Sequence, residues 1–127
     1  MALLLDTQAA WWWLDDDARL DGRARSTIER AIVEREAFVS ALSLLEAVGK
    51  AAQGRVSFPP GFVDSLEVAG FRPLPFDARD AIASQDLPRI HADPFDRGIA
   101  AQALRRDLTL MTSDARLAEY PIAVYRL

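Results

Sequence analysis

Short apolar runs of β character alternate with helical stretches along the whole chain, and this alternation most constrains the fold. Leu3 to Leu5 reads as a buried strand, followed by a helix through Trp11, Trp12 and Trp13. A turn near Asp21-Gly22 then leads into a helix through Ile28 and Ile32. Ala37 to Val39 predicts a second strand, with Ser40 placed to cap a helix that carries Leu45, Val48 and Ala52 and ends at Gly54. Pro59-Pro60-Gly61 punctuates the chain before a short helix through Leu66. Phe71 to Phe76 predicts a strand whose two prolines put it at a sheet edge. A helix from Ala78 to Asp86 follows, and Pro94 opens another that carries Ile99, Ala103 and Leu104. Leu108 to Met111 predicts a strand, Ala115 to Tyr120 a short helix and Ile122 to Tyr125 a last strand. The expectation is an α/β fold, a three-layer α/β/α sandwich around a mainly parallel sheet of four to five strands. Neither a repeat nor a linker interrupts the pattern, so residues 1–127 are read as one domain.

Composition narrows the chemistry. The chain has no cysteine and one histidine, His91, so a bound metal would be held mainly by carboxylate oxygens. Such a site suits a hard cation, Mg2+ or Mn2+, rather than zinc. The net charge of −4 argues against a broad nucleic-acid binder. Nearly all the basic residues are arginines, whose planar forks pair with phosphate, and Lys50 is the single lysine. The apolar run Ala2 to Leu5 is cut off by Asp6, too short for a signal peptide or a membrane span, so a cytoplasmic protein is expected.

Ligands of a parallel sheet bind beyond the carboxyl ends of its strands. Asp6 follows the first strand directly, and Asp114 comes just after the strand ending at Met111. Both also read as helix caps. Glu46 shares a stripe with Ser43, Lys50 and Gln53, which by itself reads as a solvated face with an i,i+4 pair to Lys50. Asp96 differs: at about 100° per residue it falls within the arc of Ile99, Ala100 and Ala103, where a carboxylate has to be paired. Asp93, just before Pro94, reads first as the N-cap of that helix and second as a supporting residue of a site.

In this order, Leu-Leu-Leu-Asp6-Thr7, Val39-Ser40-Ala41 with Glu46, Asp93-Pro94-Phe95-Asp96-Arg97 and Leu110-Met111-Thr112-Ser113-Asp114-Ala115 resemble PIN domains, most closely the VapC-type toxins. The resemblance implies a parallel-sheet fold and an acidic pocket for Mg2+ or Mn2+ built from Asp6, Glu46, Asp96 and Asp114. Thr112 matches the small hydroxyl residue that accompanies those acids. The implied activity is endonucleolytic cleavage of RNA, restrained by a small antitoxin protein. Gln8 stands where many such toxins carry histidine, and Gly98 where a bulky apolar residue is more common.

On this reading one or two metal ions lower the pKa of a water, which attacks phosphorus in line with the leaving oxygen. Arg97 is either a phosphate contact or a locally paired arginine. Three consecutive tryptophans fan over about 200° of a helix, so at least one is expected in a pocket, a homodimer contact or an antitoxin groove. The alternative is a catalytically silent PIN-like module that binds a protein partner. A phosphoacceptor receiver domain would want a lysine after a late strand, and an aspartate-nucleophile phosphatase a second acid where Gln8 stands.

Overall fold

Leu3, Leu4 and Leu5 are fully excluded from solvent in the computed structural model, which describes residues 1–55, 61–90 and 92–127. They form β1 (Leu3–Leu5), the middle of a five-stranded parallel sheet of order β3-β2-β1-β4-β5. A strand covered on both faces has no solvent side, hence its unbroken apolar run. Its neighbours are β2 (Ala37–Ser40) and β4 (Thr109–Thr112), with Leu5 opposite Val39 on one side and Met111 on the other. The outer strands are β3 (Arg72–Leu74) and β5 (Val124–Arg126).

Alternation along β1 divides the core. Leu3 and Leu5 pack with Val39 and Met111 against α1 (Thr7–Leu14), α2 (Gly22–Val33) and α4 (Phe62–Ala69), through Ala9, Ile28 and Leu66 among others. Leu4 points the other way with Leu110, against Ile99, Ala100 and Ala103 of α6 (Pro94–Arg105). The remaining helices are α3 (Ala41–Ala52), α5 (Ala78–Gln85) and a 3-10 turn over Ala115–Glu119. This is the expected layered α/β fold, and the sheet has five strands, all parallel.

Several expected boundaries move for local reasons. Asp21 caps α2 by accepting from the Ala24 amide, so Gly22 is the first helical residue rather than part of a turn. The edge strand is shorter than Phe71 to Phe76, because the Pro75 carbonyl turns inward to accept from Gln102 Nε2 at 3.1 Å. β4 extends to Thr112, one residue beyond the expected end, and that difference matters for the site. Gly70 ends α4 at φ +104°, a conformation that side chains rarely adopt, with Ile32 packed against its Cα. Gly98 permits a close approach: a Cβ there would overlap Leu42 Cδ1 and press on the Phe76 ring, so Leu42 would have to move to make room. Pro59, Pro60 and His91, which the sequence reading singled out, lie outside the described residues. Among the described residues no helix is long and apolar enough to cross a membrane.

Candidate active site

From β1 the chain winds outward through β2 and β3, then returns to place β4 on the other side of β1. The β1–β4 boundary is therefore the switch point of the sheet, where a crevice opens beyond the strand ends. Asp6 stands at one lip, immediately after β1, and Asp114 at the other, two residues after β4. Both do cap helices. Asp6 Oδ1 accepts from the Ala9 amide at 2.8 Å, and Asp114 Oδ1 accepts from the Arg116 amide at 2.9 Å. Capping engages one oxygen of each carboxylate and fixes its direction, so the cap and site roles coexist.

Thr112 ties the two together. Its hydroxyl donates to Asp6 Oδ2 at 2.5 Å and accepts from the Asp114 amide at 3.0 Å, and the side chain is fully buried. Burial pushes the Asp6 carboxyl above its ordinary value, the hydrogen bonds from Thr112 and Ala9 pull it part of the way back, and the Asp114 charge adds to the rise.

Two helices close the crevice. Asp96, in the first turn of α6, and Glu46, midway along α3, join Asp6 and Asp114 in lining one cavity of about 360 Å³. Trp11, Gln8, Lys50 and Ser113 line it as well. Asp96 lies in the arc of Ile99, Ala100 and Ala103 read from the wheel, and those three are buried. For α3 the solvated-face reading has to be corrected. Ser43 and Ala47 are buried, Glu46 and Lys50 are half-buried on the cavity wall, and Leu45 and Val48 face solvent at 58% and 49% exposure. A helical wheel ranks stripes by polarity, and here the more polar stripe faces inward because the cavity is there. Among the described residues no ion pair joins Glu46 to Lys50.

Of the two readings of Arg97 the local one fits, because its side chain is not part of the cavity lining. It donates to the carbonyls of Ser84, Leu87 and Pro88 at 2.5, 3.2 and 2.9 Å, satisfying acceptors at and just beyond the C-terminal end of α5. Local pairing is therefore its role. Asp93 caps α6 through the Phe95 amide at 2.8 Å and lines an adjoining groove rather than the acid cavity. Sequence reasoning did not place Lys50 or Trp11 at the site; the one available signal was their helical spacing, from Glu46 and from the Asp6 cap.

The PIN-domain family matches residues 3–123. The chain belongs to that family. This PIN domain is 29% identical over 134 residues to Ribonuclease VapC22 of Mycobacterium tuberculosis (strain ATCC 25618 / H37Rv), spanning 97% of the chain and 98% of that protein. Its fold is similar to VapBC2 from Rickettsia felis bound to a promoter DNA fragment, with TM-score 0.72 and 14% identity over 99% of this chain and 98% of that one. It is likewise similar to DNA-bound VapBC from Salmonella typhimurium, with TM-score 0.71, 18% identity and the same coverage. These relatives bear out the VapC-type resemblance read from the sequence.

Among the described residues, no three His, Asp or Glu side chains stand close enough to hold one ion together. Carboxylates facing a common space repel one another unless a cation lies between them. The donor set still fits a hard cation: it is all oxygen at the cavity wall, and Mg2+ needs one or two carboxylates with water completing its octahedron.

Proposed function

We propose that this PIN domain is a Mg2+- or Mn2+-dependent endoribonuclease and the toxin of a toxin–antitoxin pair. One observation carries the reading: four carboxylates from four separate stretches of the chain line a single cavity at the switch point of the sheet. The nuclease name of the mycobacterial relative and the toxin–antitoxin complexes among the similar folds support it.

Asp6, Glu46, Asp96 and Asp114 would hold the cation, and when bound it supplies positive charge that acidifies water and offsets phosphate charge. The chain's own residues do the rest. Thr112 and the Ala9 amide each hold one Asp6 oxygen, so that carboxylate meets its ligand with little loss of freedom. Glu46 and Asp96 approach from α3 and α6 and can accept the proton of the attacking water, whereas Asp114, tied to Thr112 through its amide, fixes the far lip. Ile99 and Leu117 line the cavity between the acids and limit bulk water there.

The outer face of α3 presents Leu45 and Val48 beside the cavity, an apolar surface suited to a cognate antitoxin or to the second copy of a homodimer. A cytoplasmic location accords with both roles. Mapping cleavage ends on total cellular RNA, with and without Mg2+, tests the function. Ends that need Mg2+ and vanish in Asp6→Asn are expected. Identical ends from that variant refute the mechanism, and no ends under any metal leave the silent binding module.

A further inference from the structure

Trp11, Trp12 and Trp13 follow one another, so α1 turns them in three directions, and each has a different neighbour. The Arg19 guanidinium lies over Trp12 at 4.8 Å from the ring centroid, and Trp13 stands edge-on to Phe71 at 6.2 Å. Trp11 packs against Phe62, with centroids 4.5 Å apart and planes inclined by 32°. Phe62 is only 3% exposed, so a fixed ring backs the half-buried indole. Of the three, only Trp11 lines the acid cavity.

Lys50 comes to the same cavity from α3 and also lines the adjoining groove of about 750 Å³ with Gln53, Arg55 and Phe95. A chain leaving the acids along that groove passes Lys50. Among the described residues no ion pair holds its ammonium, and it is the single lysine of the protein.

We propose that Trp11 and Lys50 form a subsite for one unpaired nucleotide of an RNA substrate, the indole taking the base and the ammonium the adjoining phosphate. The proposal rests on the ribonuclease reading for the class of ligand. A chain of net charge −4 does not draw RNA in by its overall field, so affinity has to come from short-range contacts. Stacking on an aromatic ring is such a contact, and it tolerates any base because every base has a π-face. A base inside a duplex is already stacked on both sides, so the subsite selects single strands.

The test measures binding of a short single-stranded oligoribonucleotide, and of the same sequence as a duplex, to the Asp6→Asn protein, which retains both subsite residues. The single strand is expected to bind at least about tenfold more tightly. Adding Trp11→Leu weakens that binding about tenfold or more, while Trp11→Phe retains most of it. Adding Lys50→Gln lowers the logarithmic salt slope by about 0.7, the contribution of one single-strand phosphate, and Trp11→Leu leaves the slope unchanged. Equal affinity for the duplex, or no effect of both Trp11→Leu and Lys50→Gln, overturns the subsite. Should Trp11→Leu not fold, a protein carrying Trp12→Phe and Trp13→Phe isolates the Trp11 emission: quenching by the oligonucleotide supports the subsite, and unchanged emission overturns it. A parent protein that cuts no RNA yet binds it through Trp11 contradicts the nuclease reading instead, so the two failures are distinct.

Discussion

The Thr112 hydroxyl donates to Asp6 Oδ2 at 2.5 Å across 106 positions of the chain, joining the ends of the two central strands. The Thr112 hydroxyl oxygen also accepts from the Asp114 amide, so one buried hydroxyl sets the direction of one acid and the backbone of another. Losing it should affect chemistry more than stability.

Thr112→Val keeps the shape and removes both hydrogen bonds. RNA cleavage is expected to fall about 10- to 100-fold, as when a partner that orients a metal ligand is removed. Stability should fall by about 1–2 kcal/mol, and Thr112→Ser should recover most of both. Single-turnover cleavage and urea denaturation of the three proteins check this.

If the proposed function holds, the raised pKa of Asp6 should set the acid limb of cleavage. On the proposed reading a metal would have to displace a proton from that carboxyl, which burial holds above the ordinary 3.8. At subsaturating Mg2+, cleavage should therefore decline on acidification before an ordinary aspartate would protonate. The stability sign is opposite: without metal, ionised Asp6 costs stability above its raised pKa, and the cost disappears as pH falls through it. The rise in Tm produced by Mg2+ should shrink over the same range. A Mg2+ effect on Tm that stays constant down to pH 3.8 would contradict this assignment.

Asp80 carries a structural charge elsewhere. It is fully buried in the first turn of α5, closes a capping box with Asp77 and binds the guanidinium groups of Arg105 and Arg106. Burial works to raise its pKa, but the Asp77 amide, Arg106 and Arg105 prevail and hold it below the ordinary value. Its stabilisation is present above pH 3.8 and is lost as pH falls through the lowered folded value. Asp80→Ala should destabilise by about 1–2 kcal/mol, because the capping box opens and Arg105 and Arg106 keep only Asp77 as an acidic partner. Activity per folded molecule should not change, which denaturation and cleavage assays on one preparation can read.

The legible parts of the fold were those set by nearby residues. Alternating runs disclosed the sheet, Pro73 and Pro75 the edge position of β3, and Asp6, Ser40 and Asp93 their caps. Asp96 was legible because its arc was otherwise apolar. What stayed hidden depends on which surface meets which. The wheel of α3 did not disclose that its polar stripe faces a cavity, nor could Gly98 disclose that Leu42 occupies the place of its missing Cβ. Arg97 looked available to a phosphate because the open carbonyls ending α5 are set by tertiary placement. The resemblance named Thr112, but its bond to Asp6 exists only once β1 and β4 pair.

The account stands on the four acids together serving one or two divalent cations. Mn2+ binding, followed by water-proton relaxation at neutral pH, tests that directly in the parent protein and in Asp6→Asn, Glu46→Gln, Asp96→Asn and Asp114→Asn. Saturable binding by the parent, weakened at least about tenfold in Asp6→Asn and measurably in each of the others, is the expected result. Parent-like Mn2+ affinity in all four variants would contradict it.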